Sequence, residues 1–222
     1  MKKTKTTINI NEFPKELHCF LEDTTIYDSS SNPDMQVIYS EKGYYIKIAG
    51  KDTLKKEAQM TRIFESRGIG AKVAAFITED KDYLVTEVVK GNDGLEHLNN
   101  PEKLCEALAE AMRYLHSLST EGVPVSVSMK KYESLGNDKI KSDTFIHGDF
   151  CLPNIMLENW KLTSFIDLGE SGVGDKHIDL FWAMWSLAYN LKTEEYNDLF
   201  LDLYGRDKVD MEVLELVEKM EL

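Results

Sequence analysis

One short segment restricts what this chain can be more than any other feature. Residues 147–154 read HGDFCLPN, and residues 166–169 read IDLG. Asp149 therefore stands five positions before Asn154, and Asp167 follows the next strand-like stretch. An aspartate by itself often does no more than cap a turn. A carboxylate, an amide and a second carboxylate in this order and at this separation form a much more specific pattern.

These residue types suit phosphoryl transfer. Such a site needs a carboxylate that orients the attacking hydroxyl, oxygen ligands that hold Mg²⁺, and a cation that binds the nucleotide phosphates. Mg²⁺ prefers oxygen donors, commonly one or two carboxylates together with phosphates and water. Kinase catalytic loops have the same D-x₄-N spacing, with an Asp-x-Gly further along the chain. The pattern therefore indicates a site where Asn154 and Asp167 can converge on one metal ion.

A lysine earlier in the chain is the candidate cation. Lys47 lies inside the apolar strand-like stretch 44–48, and lysine is seldom buried without a partner. Glu57, on the helix predicted next, is the natural partner, as in the strand-Lys to helix-Glu pair of kinases. A strand-edge lysine that faces solvent is the alternative. Tyr45 shares the face of Lys47, where it either stacks on a base or belongs to the core.

Apolar periodicity divides the chain into a β-rich first part and an α-rich second part. In the first part it predicts strands within 36–48, at 73–77 and at 83–89, and a helix over 51–67. In the second part it predicts helices over 101–118, 178–191, 193–204 and 211–222, and a strand pair at 155–157 and 162–166. The polar stretch 91–100 separates two lobes, residues 1–90 and residues 91–222, and residues 121–144 are irregular. This order is an α+β plan.

Composition excludes several classes of protein. The chain of 222 residues carries 39 acidic and 26 basic side chains, a net charge of −13, which argues against nucleic-acid binding. The charge favours a cationic ligand, or serves solubility alone. Three cysteines without C-x-x-C spacing indicate reduced thiols. We find neither a signal peptide nor an apolar run long enough for a membrane span, so we expect a soluble cytoplasmic protein. The oligomeric state is not readable.

Residues 145–179 resemble the aminoglycoside phosphotransferase family, which has a protein-kinase-like fold. The resemblance rests on the run from His147 to Asn154, on Phe165-Ile166-Asp167-x-Gly169, and on the later Asp175 and Asp179. This combination is typical of the 3′-phosphotransferase branch. A looser similarity extends over residues 36–204. The fold that it implies has a small, mostly β N-terminal lobe and a larger, mostly α C-terminal lobe.

The resemblance also implies an activity and a set of site residues. The activity is Mg²⁺-dependent transfer of the γ-phosphate of ATP or GTP to a hydroxyl of an aminoglycoside, a small polycationic antibiotic. The implied roles are Asp149 as catalytic base, Asn154 and Asp167 as Mg²⁺ ligands, Lys47 on the α/β phosphates, Glu57 positioning Lys47, Tyr45 stacking on adenine, and the hinge around Thr86 and Val88. Asp179 is expected to brace the catalytic loop.

Four departures from the family concern the acceptor and the phosphate loop. Glu170 stands where relatives usually carry a basic residue, and the chain ends at 219–222 without the usual acidic-aromatic tail. The stretch 118–144 is short, and residues 29–32 (SSSN) replace a glycine-rich loop. Two alternatives therefore stay open. The chain is a kinase of the same family for choline, a homoserine-like alcohol or another sugar, or it is a catalytically silent nucleotide-binding module.

Overall fold

A six-stranded antiparallel sheet forms the first part of the computed structural model, which describes residues 3–31, 33, 35–133 and 139–222. The strand order is β1-β2-β3-β4-β6-β5. The strands are β1 (Thr4–Thr6), β2 (Ile26–Asp28), β3 (Gln36–Ser40), β4 (Tyr44–Gly50), β5 (Val73–Thr78) and β6 (Lys81–Glu87). Ile38, Ile46 and Val85 are buried on one face against Leu17 and Leu21. The opposite face carries Tyr45 and Lys47, because successive side chains of a strand alternate.

Two helices lie in the first part of the chain, and helices make up most of the second part. They are α1 (His18–Leu21), α2 (Lys55–Ser66), α3 (Pro101–Ser117), α4 (Lys130–Glu133), α5 (Lys176–Leu191), α6 (Asn197–Tyr204) and α7 (Met211–Glu221). The starts of α3 and α5 follow from local capping chemistry. Asn100 caps α3 by accepting a hydrogen bond from Lys103 N, with Pro101 in the first turn, and Asp175 caps α5 by accepting one from His177 N. A side-chain acceptor at this position satisfies an otherwise unpaired backbone N–H.

Two small sheets carry the segments that the sequence singled out. One has the order β10-β9-β7, formed by β7 (Asn92–Asp93), β9 (Ile155–Glu158) and β10 (Lys161–Phe165); the other pairs β8 (Thr144–Ile146) with β11 (Gly172–Gly174). Asn159 and Trp160 connect β9 to β10 with φ values of 53° and 65°. Positive φ at both central residues is the conformation of a type I′ hairpin. This tight turn returns the chain directly to Asp167.

The structure corrects several predicted boundaries. The first long helix begins at Lys55 instead of residue 51, because the buried carboxylate of Asp82 accepts a hydrogen bond from Leu54 N at 2.9 Å. The helix predicted from residue 193 begins at Asn197. The connection 91–100 contains the short β7 and a 3₁₀ turn over Gly94–His97. The sequence pattern did not predict β1 and β2.

Aromatic packing connects α2 to the second part of the chain. The ring of Phe64 lies 4.8 Å from that of Phe145 and 5.9 Å from that of Phe165, in edge-on geometries. Such pairs add stabilisation beyond their buried area. The lobe boundary at residues 90 and 91 stays a prediction. Among the described residues, no helix combines the length and the apolar character that crossing a bilayer requires.

Candidate active site

A cleft of about 510 Å³ lies between the large sheet and the segments of the second part. Six of the predicted site residues line it, namely Tyr45, Lys47, Glu57, Thr86, Val88 and Asp167. Ser29 and Ser31 of the serine-rich loop line it as well, while Asn32 falls outside the described residues. Asp149 and Asn154 are not among the lining residues; they lie on the adjoining loop before β9. The structure therefore brings residues from distant parts of the chain to one crevice.

Lys47 is held between two carboxylates. Its Nζ lies 2.5 Å from Oε1 of Glu57 on α2 and 2.6 Å from Oδ1 of Asp167. The side chains of Lys47 and Glu57 are only 19% and 8% exposed. Burial alone would lower the pKa of Lys47, but the charges of Glu57 and Asp167 outweigh burial and raise that pKa. Lys47 is therefore charged and fixed in place at neutral pH.

The segment between β8 and β9 arranges Asp149 and Asn154 around each other. Asn154 Nδ2 donates to the main-chain oxygen of Asp149 at 3.0 Å and to its carboxylate Oδ2 at 2.9 Å. Since the amide nitrogen faces Asp149, the oxygen Oδ1 of Asn154 points elsewhere. One carboxylate oxygen of Asp149 is thereby oriented, and the other is not engaged by Asn154.

The backbone of Ile166 joins this loop to Asp167. Ile166 N donates to the main-chain oxygen of Asn154 at 3.0 Å. His147 Nε2 donates to the oxygen of Ile166 at 3.0 Å, and His147 Nδ1 accepts from Asp149 N at 3.3 Å. His147 is thus a buried structural residue. Asp167 itself has φ of +63°, a conformation that costs a non-glycine residue free energy and that often marks functional sites.

Asp179 on α5 holds the same loop from behind. Its fully buried carboxylate accepts hydrogen bonds from His147 N and Gly148 N, both at 2.8 Å. His116 Nε2 donates to it at 3.0 Å, and His116 Nδ1 accepts from the hydroxyl of Tyr204 at 2.9 Å. Burial raises the pKa of Tyr204, so its hydroxyl keeps its proton. These contacts agree with the expectation that Asp179 braces the loop.

Glu170 lies against the residue that precedes the predicted base. A Cβ added to Gly148 would meet the Glu170 carbonyl oxygen at 2.4 Å and its Cβ at 3.0 Å. Burial raises the pKa of Glu170; Asp149 and Glu221 raise it further, and Lys131 opposes them. The carboxylate of Glu221, 2% exposed, accepts hydrogen bonds from Lys131 Nζ and the Tyr132 hydroxyl. Glu170 therefore interacts electrostatically with Asp149 and Glu221, and Lys131 offsets part of their negative charge.

The residues present fit a magnesium ion. Asn154 and Asp167 supply the amide and carboxylate oxygens that Mg²⁺ accepts, and Ile166 ties their backbones together. Among the described residues, no three His, Cys, Asp or Glu side chains could hold a metal ion by themselves. A magnesium ion at this position would therefore depend on nucleotide phosphates and water for its remaining ligands.

Sequence reasoning missed several polar residues of the cleft, among them Lys3 and Asp93. Lys3 and Asp93 both line the cleft, and neither belongs to the motifs that the sequence emphasised. The alternating Lys and Thr residues of Lys3–Thr6 were the available sign of a strand that places Lys3. This run is too short and too polar to be recognised as a strand from the sequence. Asp93 is a cap, since its carboxylate accepts from Leu95 N at 3.1 Å.

Comparison with known proteins decides the family. The profile of the APH phosphotransferase enzyme family matches residues 138–216. A probable aminoglycoside 3′-phosphotransferase of Lactococcus lactis subsp. lactis is 40% identical over 247 residues, covering 95% of this chain and 94% of the relative. This chain belongs to the aminoglycoside phosphotransferase family. An aminoglycoside 3′-phosphotransferase of Niallia circulans is 33% identical over 163 residues, 58% of this chain and 62% of that protein.

Solved structures show the same fold. The aminoglycoside phosphotransferase APH(3″)-Id of Streptomyces rimosus, also solved with ADP and streptomycin, superposes with a TM-score of 0.75 at 18% identity, covering 97% of this chain and 98% of that one. An aminoglycoside 3′-phosphotransferase of type VIII superposes with a TM-score of 0.68, covering 99% of this chain and 93% of that one. The predicted family and the predicted α+β kinase-like fold are confirmed. The roles of individual site residues stay predictions.

Proposed function

We propose that this protein transfers the γ-phosphate of ATP or GTP to a hydroxyl of an aminoglycoside, with Mg²⁺ as cofactor. The observation that carries the proposal is the meeting of Lys47 and Asp167 in one cleft, with the Asp149–Asn154 pair on the adjoining loop. Family membership and the substrates named for its relatives supply the acceptor class. The cytoplasmic location stays a prediction.

The nucleotide would lie in the cleft under the large sheet. Tyr45 offers its ring to the base, and the ammonium of Lys47, charged and fixed, faces the α/β phosphates with Glu57 holding it in position. Val88 N already donates to Gly43 O at 2.9 Å. The base edge would therefore meet the carbonyl of Val88 instead of its amide. The cleft wall at Thr86 completes this hinge region.

Asp149 would receive the acceptor hydroxyl. Asn154 fixes one carboxylate oxygen of Asp149, which leaves the other to accept a hydrogen bond from the attacking hydroxyl. A carboxylate in this position orients the oxygen nucleophile and takes up its proton. Asn154 Oδ1 and the carboxylate of Asp167 would hold Mg²⁺, which neutralises charge on the phosphates when it is bound.

Electrostatics near Asp149 favour a cationic acceptor. Glu170 interacts electrostatically with Asp149 and Glu221, although Lys131 offsets part of this negative charge, and the chain has a net charge of −13. The field of a protein with an excess of one charge attracts ligands of the opposite sign. A glutamate at position 170, where relatives usually carry a basic residue, therefore supports binding of a substrate with ammonium groups.

The decisive experiment measures ADP release from ATP and Mg²⁺ by the purified protein, with and without kanamycin. We expect acceptor-dependent release, and a loss of about 10²–10⁴ in turnover for Asp149→Asn if general-base help is its main role. Glu158→Gln is the matched control, because it removes one negative charge from an exposed position on β9. Near-normal turnover of Asp149→Asn would contradict the assignment.

A panel of acceptors separates the remaining alternatives. Release of ADP with choline, homoserine or a neutral sugar, and with no aminoglycoside, would show a kinase of the same family with another substrate. Thermal stabilisation by ATP and Mg²⁺ without turnover on any acceptor would show a nucleotide-binding module.

A further inference from the structure

Lys3 reaches the nucleotide cleft from outside every motif described above. It precedes β1, which pairs with β2 through Lys5 and Tyr27. The Nζ of Lys3 lies 3.3 Å from the ring centroid of Tyr39 and 5.2 Å from that of Tyr45. Tyr39 and Tyr45 are partners across β3 and β4, so they share the sheet face that looks into the cleft. Lys3 itself lines the cleft.

Acidic side chains outnumber basic ones among the described residues that line the cleft. Among its described lining residues, Lys3 and Lys47 are the two basic side chains. Five acidic side chains line the same space, namely Glu57, Glu87, Asp93, Glu96 and Asp167. Lys47 is already paired with Glu57 and Asp167. A nucleoside triphosphate carries several negative charges, so it needs more compensation than Lys47 and a metal ion supply.

Lys3 is the lining cation that can turn toward a bound nucleotide. No described carboxylate lies within ion-pair distance of its Nζ, and its contacts there are with the two tyrosine rings. A lysine resting on an exposed aromatic ring gains only about 0.5–1 kcal/mol. Its flexible four-carbon stem allows the ammonium to move without moving the strand. Tyr45 and Lys47 are two residues apart on β4, about 7 Å, so base and phosphates would both lie close to Lys3.

We propose that Lys3 is a nucleotide-binding residue whose ammonium pairs with the phosphates of the bound donor. The inference rests on the proposed use of a nucleoside triphosphate. Residues 29–32 lack the glycines of a phosphate-binding loop, and Ser29 and Ser31 bring polar groups but no charge to the cleft. Lys3 would supply the positive charge that this loop does not. Pairing of the edge strand β1 with β2 then positions Lys3 at the cleft.

Calorimetric binding of ATP, ADP and adenosine tests the proposal. Lys3→Gln should raise the Kd for ATP about tenfold, equivalent to about 1.4 kcal/mol, because charge-assisted bonds are stronger than neutral ones. The Kd for adenosine should change by less than about twofold, since adenosine has no phosphate. Lys3→Arg should bind ATP nearly as well as the natural protein. In turnover assays, Lys3→Gln should raise KM for ATP and leave kcat nearly unchanged.

Lys5→Gln is the matched control. It removes the same charge two residues further along, within β1, and Lys5 does not line the cleft. Equal weakening of ATP and adenosine by Lys3→Gln, or no weakening, would overturn the proposal. Tighter ATP binding would also overturn it, because Lys3 would then compete with the base for Tyr45. A natural protein that binds ATP and phosphorylates no acceptor would refute the proposed function while still testing Lys3.

Discussion

Replacement of Asp179 should cost more stability than replacement of any exposed acidic residue. Its carboxylate has no solvent exposure and accepts three hydrogen bonds. Two of the donors are the backbone N–H groups of His147 and Gly148, directly before the predicted base. Asp179→Ala would leave three buried donors without an acceptor. The perturbation therefore acts on the catalytic loop through its backbone.

The size of the effect follows from these contacts. A buried donor left unsatisfied costs about 1–3 kcal/mol, so three of them give about 3–9 kcal/mol. Water that enters the space left by the carboxylate would recover part of this, and we expect about 3–5 kcal/mol. Natural proteins are stable by only about 5–15 kcal/mol. In a chain of this size, each kcal/mol lowers Tm by about 2–4 °C.

Urea unfolding gives the free energy, and a thermal scan gives Tm. Asp198→Ala is the control, because its side chain is 86% exposed and pairs with Arg206; such a surface pair contributes about 0–1 kcal/mol. Turnover should be measured well below the Tm of the variant, so that loss of activity reports on the loop and not on unfolding. A difference below about 1 kcal/mol between Asp179→Ala and Asp198→Ala would refute the reasoning.

Three further predictions concern single residues. Burial would raise the pKa of Asp175, but hydrogen bonds to its carboxylate outweigh burial and lower that pKa. The stability that it contributes is therefore present above its unfolded pKa of about 4 and is lost as pH falls through the lower folded value. Asp175→Asn should flatten this dependence in urea unfolding. Burial raises the pKa of the Cys151 thiol, so iodoacetamide should label the exposed Cys19 first, as mass spectrometry would show. Gly148 has a φ of +84°, and a Cβ added to it would lie 2.4 Å from a backbone oxygen. Gly148→Ala should therefore reduce stability and turnover more than Gly43→Ala, because a Cβ at position 43 would meet no atom within 4 Å.

Local pattern was enough to predict the elements that carry the chemistry. Alternation of apolar residues in 36–48 predicted the hairpin that presents Tyr45 and Lys47. The spacing from Asp149 to Asn154 predicted a kinase-like catalytic loop, and in the structure the side chains of these two residues are in contact. In each case the interacting groups are close in sequence or follow the period of one element, so pattern alone was informative.

Contacts between distant residues were not predictable in this way. The start of α2 depends on Asp82, which lies 28 positions beyond the Leu54 amide that it caps. The strand β1 has no apolar alternation of its own, and it forms because β2 offers an open edge. The place of Lys3 in the cleft follows from that pairing. A single sequence shows none of these tertiary partners.

The charge of the protein acts in opposite directions on its two proposed substrates. A net charge of −13 attracts a polycationic acceptor and repels a nucleotide, so nucleotide binding depends on short-range contacts inside the cleft. Salt shortens the Debye length from about 30 Å at 0.01 M to about 10 Å at 0.1 M, which weakens the long-range attraction more than the buried contacts. Raising salt over this range should increase KM for an aminoglycoside severalfold, while KM for ATP changes less or falls. Parallel increases in both KM values would contradict this electrostatic division, because they would place the acceptor and the nucleotide under the same field.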